Sequence, residues 1–108
     1  MNFKEYEERA QAFAIYPEAG QGTKLALAYT ALGLVGEAGE FSEKVKKFVR
    51  GQELDKHLSM KELGDVLWYI TACANELGYS LQDVAEVNIV KLTDRKERGV
   101  IKSEGDTR

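Results

Sequence analysis

The sequence predicts an all-α protein built as a four-helix bundle. Two observations carry that prediction: apolar residues recur at spacings of three and four along four stretches, and glycine or proline separates those stretches. No run of alternating apolar and polar residues is long enough for a useful strand, and there is no internal repeat. At 108 residues the chain makes a single domain, 1–108, with a polar, flexible tail expected from about residue 99.

The elements follow in order. Phe3, Tyr6, Ala10 and Phe13 mark an amphipathic first helix from about Asn2 to Tyr16, which the only proline, Pro17, ends. Residues 17–23, with Gly20 and Gly22, read as a loop. A second helix runs from about Lys24 to Arg50 and stops at Gly51. Its apolar stripe is Leu34, Ala38, Phe41, Val45 and Phe48. Gly33, Gly36 and Gly39 lie inside it, each costing about 1 kcal/mol relative to Ala. They are local weaknesses or a break near Gly33, or places where another backbone or a ligand comes close.

Residues 51–58 form a polar connection carrying His57. A third helix then runs to about Leu77, with Leu63, Val66, Ile70, Cys73, Ala74 and Leu77 as its stripe and Gly78 as its stop. Ser80 opens a fourth helix as far as about Arg98, with Asp83 completing a capping box. Trp68, Val87 and Val90 fall off the stripes of their helices, and spare apolar surface on a small helical chain suggests a subunit interface.

Composition excludes several classes. An apolar fraction of 44% and a charged fraction of 31% are those of a globular chain, not a disordered one. A net charge of −3 without a basic run argues against nucleic acid as a partner. No apolar run approaches membrane-spanning length, and the first residues do not read as a signal peptide, so no membrane partner and a cytoplasmic location are expected. One cysteine, Cys73, and one histidine, His57, rule out an internal disulfide and a Cys/His zinc site within one chain.

The chemistry concentrates in acidic pairs. Glu37 and Glu40 are three apart, so both project from one side of the second helix at the border of its apolar stripe. Glu62 and Asp65 repeat that spacing on the third helix. A carboxylate at the edge of a core needs a cation, a donor or a metal. Two such pairs on neighbouring helices can aim four carboxylates at one point, a donor set suited to Mg²⁺. The plainer alternatives are a surface ion pair of Glu40 with Lys44, and a capping box Ser59–Glu62 opening the third helix. On the fourth helix, Asn88 lies within the apolar stripe with Lys91 and Arg95 beside it, three polar groups that need partners. Tyr69 stands one turn beyond Asp65, either a core aromatic with its hydroxyl at the surface or a residue that stacks on or bonds a substrate.

Glu37-Ala38-Gly39-Glu40, a spacer of 21 residues and Glu62-Leu63-Gly64-Asp65 resemble the ExxE…ExxD signature of the MazG-like, all-α nucleoside triphosphate pyrophosphohydrolases. Asn88-Ile89-Val90-Lys91-Leu92 followed by Arg95 extends the likeness, which covers about residues 25–98. The resemblance implies hydrolysis of a nucleoside or deoxynucleoside triphosphate to monophosphate and pyrophosphate, in nucleotide-pool control or house-cleaning. It implies Mg²⁺, with Mn²⁺ substituting, held by Glu37, Glu40, Glu62 and Asp65. It places Tyr69, Asn88, Lys91 and Arg95 on the substrate. It also implies a homodimer or dimer of dimers. The alternatives are a phosphoribosyl-ATP pyrophosphohydrolase-like enzyme and a non-catalytic helical interaction module.

Overall fold

The computed structural model describes residues 1–99; residues 100–108, most of the expected polar tail, lie outside the described residues. Among the described residues the secondary structure is entirely helical: α1 (Phe3–Ala10), a 3₁₀ turn (Gln11–Phe13), α2 (Lys24–Val49), α3 (Lys56–Glu76) and α4 (Leu81–Glu97).

The first helix is shorter than its periodicity suggests. A helix continuing to Tyr16 would spend the Ala10 carbonyl on the amide of Ala14. Instead the Trp68 indole Nε1 donates to that carbonyl at 3.1 Å, and the Ala14 amide turns to the Gln11 carbonyl. A tertiary donor thus replaces the next helical bond, and the chain leaves the helix. For the same reason Trp68 is half-buried beneath this segment and not part of an exposed apolar face; Val87 and Val90 are exposed, as expected.

Thr23 caps α2, accepting from the Ala26 amide, and Gly51 follows its end at φ 104°. The third helix starts earlier than expected. Asp55 is its N-cap, accepting from the Leu58 amide at 2.9 Å. Ser59 is therefore a full turn inside, donating its hydroxyl to the Asp55 carbonyl, and Glu62 caps nothing. His57 falls in the first turn of α3, outside the connecting loop. The capping box of Ser80 and Asp83 forms as expected. The Glu7 carboxylate from α1 adds to it, accepting from the Leu81 amide and from Asn75 Nδ2, and so ties α1 to α3 and α4.

Helices α2 and α3 form the framework. Lys44 meets Glu62, Gly33 meets Tyr69 and Gly22 meets Glu76, so the two run antiparallel. Among the described residues the buried apolar ones are Ala10, Ala26, Ala72, Ala74 and Leu81, four of the five being alanine. Of the expected stripes, Leu34, Phe41, Val45, Val66 and Ile70 are half-buried, whereas Phe48, Leu63 and Leu77 are exposed.

Candidate active site

Every carboxylate of the two acidic pairs stands on the α2–α3 framework. Oxygen atoms of Glu37, Glu40 and Glu62 lie within 4.8 Å of one another, across the two helices. Asp65, one turn beyond Glu62, is exposed and lines a neighbouring cavity with Glu37. Burial raises the Glu37 carboxyl above its usual range, and the charges of Glu40, Asp65 and Glu62 push it the same way. One oxygen of Glu37 and one of Glu62 are buried without a hydrogen-bond partner. The other oxygen of Glu62 pairs with the Lys44 ammonium at 3.3 Å. Lys44 thus reaches across to α3, and the pairing of Lys44 with Glu40 along α2 is not the one formed.

This arrangement fits a hard divalent cation. Oxygens on one octahedral Mg²⁺ shell are at most about 4.2 Å apart, close to the spread of the three glutamates. Two buried carboxylate oxygens without donors are a standing cost that a cation would remove.

Beside the cluster lies a cavity of about 550 Å³. Glu37, Gly64 and Asp65 form one end of it; Tyr6, Phe13, Ile15, Tyr16, Tyr29, Trp68 and Tyr69 form the rest. Tyr16 and Tyr29 stack with ring centres 5.3 Å apart. Trp68 stands edge-on to Tyr16 and to Tyr69. Burial raises the Tyr69 hydroxyl above the usual phenol range, helped by Tyr29, Glu37 and Asp65; burial and then Asp65 do the same to Tyr6. Both remain protonated donors facing carboxylates.

The glycines of α2 divide. A Cβ on Gly36 or Gly39 would meet nothing within 4 Å, whereas one on Gly33 would lie 2.1 Å from Cε1 of Tyr69. Only Gly33 is a close-approach position.

The structure therefore brings together Glu37, Glu40 and Glu62, and sets Asp65 and Tyr69 at the adjoining cavity. Asn88 and Lys91 line a separate groove with Tyr79, Asp83, Val84, Glu86 and Val87, and Arg95 is buried near the end of α4. Of the residues lining the cavity beside Glu37, Ile15 and Tyr29 were not singled out from the sequence. A signal for Tyr29 was present: Tyr29, Gly33 and Glu37 are spaced four apart, so they share one face of α2.

Fold and site define an all-α protein with a carboxylate cluster carried on an antiparallel helix pair. Residues 26–100 match the MazG nucleotide pyrophosphohydrolase domain, and the chain belongs to that family. It is similar to the Gene 37 protein of Mycobacterium phage L5, at 43% identity over 109 residues, covering 95% of this chain and 96% of that protein. No solved structure matches. The cavity wall from Tyr6 to Tyr16 precedes the stretch that matches the family.

Proposed function

We propose that this chain, one domain throughout, hydrolyses nucleoside or deoxynucleoside triphosphates to monophosphate and pyrophosphate with Mg²⁺, or Mn²⁺ in its place. The observation that carries the reading is the convergence of Glu37, Glu40 and Glu62, two with a buried oxygen lacking a partner, within the family-matching stretch. With Asp65 they would hold the cation. When bound, it neutralises the polyphosphate and lowers the pKa of water at the site.

The chain's own residues supply position. A triphosphate bearing about four negative charges cannot approach four carboxylates unaided, which is why the cluster needs cations. The nucleoside end occupies the aromatic cavity, where a base face can stack on Tyr16, Tyr29 or Trp68. The protonated Tyr69 hydroxyl stands at the seam between that cavity and the carboxylates, placed to donate to the sugar or the α-phosphate. Water adds to the α-phosphorus, the α–β anhydride bond breaks, and pyrophosphate leaves. Asn88 and Lys91 line a groove apart from this cavity, so a second copy of the chain is the route by which α4 would bring them to the phosphates, while Arg95 enters this reading by the family resemblance alone. The exposed Val87 and Val90 on that helix support such an assembly, a dimer or a dimer of dimers.

The test is product release from the eight standard ribo- and deoxyribonucleoside triphosphates. Monophosphate and pyrophosphate are expected, with turnover abolished by excess EDTA. Diphosphate with inorganic phosphate, or full turnover in EDTA, rejects the reading. Light scattering at two or four times the 12.1 kDa chain mass checks the assembly.

A further inference from the structure

We propose that Gly33 is a positioning residue: its missing side chain is a notch in α2 that seats the Tyr69 ring, and this seat keeps the cavity beside Glu37 open. This builds on the reading that the cavity receives the nucleoside end of the substrate.

The argument starts from contact. A Cβ on Gly33 would lie 2.1 Å from Cε1, 2.5 Å from Cζ and 2.6 Å from Cδ1 of Tyr69. Carbon atoms rest about 3.5–4.0 Å apart, so one added methyl requires the ring to move by more than 1 Å. Few directions are open to it. Trp68 stands edge-on at 5.0 Å between ring centres and is itself fixed by its bond to the Ala10 carbonyl. Tyr29 and Glu37, one turn either side of Gly33, flank the notch on α2. What remains is the cavity of about 550 Å³ that Tyr69 already borders. A displaced ring would shrink that space and carry the hydroxyl away from Glu37 and Asp65, whose charges it now feels. None of the carboxylates need move.

Gly33 also carries a local cost, because glycine is a poor residue inside a helix. Gly36 and Gly39 share that cost with no neighbour to explain it, whereas at Gly33 the ring supplies a reason. The tyrosine and the glycine form one device, and each loses its purpose without the other.

A double-mutant cycle with Gly33→Ala and Tyr69→Ala tests this. Gly33→Ala alone should raise KM for the preferred triphosphate about tenfold, the loss of one well-placed contact, and change kcat less than threefold. Its Tm, measured without metal, should fall. In the Tyr69→Ala background the same substitution should leave KM unchanged and raise Tm by several degrees, because alanine then improves the helix without a clash. Mn²⁺ affinity without nucleotide should stay within twofold throughout. Equal effects of Gly33→Ala in both backgrounds, or no effect in the parent protein, overturn the proposal. If Gly33→Ala does not fold, recovery of folding in the double variant supports the notch and continued failure overturns it. A parent protein that releases no pyrophosphate defeats the functional reading, while the metal-free Tm cycle still decides the seat of Tyr69.

Discussion

Helix α3 carries two glutamates in opposite states, Glu76 buried and Glu62 half-buried. Glu76, near its end, is saturated. It accepts from the Tyr16 hydroxyl, from the Gly20 amide at 2.7 Å and from the Gly22 amide at 2.9 Å. Burial alone would raise its carboxyl, but these three donors outweigh burial and hold it below the usual range. Glu62, about 21 Å away along the helix, has one oxygen on Lys44 and the other buried without a partner. Its neighbour across the groove, Glu37, is pushed the other way by burial and by three further carboxylates. Both centres are burial plus negative charge. What separates them is the supply of donors: where the chain provides them the carboxylate is a fastener, and where it withholds them a buried carboxylate oxygen is left without a partner.

The largest expected effect breaks the open centre. On the proposed reading, Glu40→Gln or Asp65→Asn abolishes turnover, by at least about 10³-fold, without lowering Tm, because one of several crowded charges is removed. Pyrophosphate release and thermal melts check it. A residual rate near the parent's would return the cluster to a solvated surface.

Glu76→Gln is the matching experiment on the closed centre. It leaves the Tyr16 hydroxyl and two loop amides facing a poorer acceptor, and should lower stability by about 3 kcal/mol in denaturant titration. A cost below about 1 kcal/mol would remove the contrast between the two centres.

Acid titration sharpens it. Glu76 has a folded pKa below the ordinary glutamate value of 4.5, so its contribution is complete above that pH and is lost as pH falls through the lower folded value. Glu37 has a folded pKa above 4.5, so the metal-free fold loses stability as pH rises from 4.5 through that higher value. Glu37→Gln should therefore raise the metal-free Tm at pH 7 and not at pH 4, and Mg²⁺ should close the difference at pH 7.

The smallest effect belongs to Lys44→Ala. Its side chain is 34% exposed and its pair with Glu62 should contribute only about 0.5 kcal/mol. A loss approaching that of Glu76→Gln would mean that Lys44 saturates Glu62 as the loop saturates Glu76.

Much of the fold was legible because it rests on local signals. Gly51 and Gly78 follow the ends of α2 and α3, and Ser80 with Asp83 opens α4, as the sequence alone suggests. The failures share one cause, competition from outside the local segment. The indole of Trp68 took the Ala10 carbonyl and ended the first helix early; the sequence of residues 2–16 holds no trace of that donor. At the start of α3 the sequence suggested a cap at Ser59, and Asp55, four residues earlier and not singled out from the sequence, takes that role instead. For the site, spacing three predicts which carboxylates share a helix side. It does not predict which helices face each other, and within one chain Asn88 and Lys91 line a groove apart from the carboxylates. Glu76 went unnoticed because its donors come from a loop more than fifty residues earlier in the chain.

Trp68 is the only tryptophan in the chain. Its indole borders the cavity, stands edge-on to Tyr16 and Tyr69, and donates to the carbonyl that ends α1. The tryptophan fluorescence of this protein, excited to the red of its five tyrosines, therefore comes from one emitter at the junction of the amino-terminal segment and the cavity. A base stacked there would quench it, and release of the amino-terminal segment would red-shift it by letting water reach the indole. Occupancy and local opening can thus be followed as separate optical signals, in the native chain and without a label.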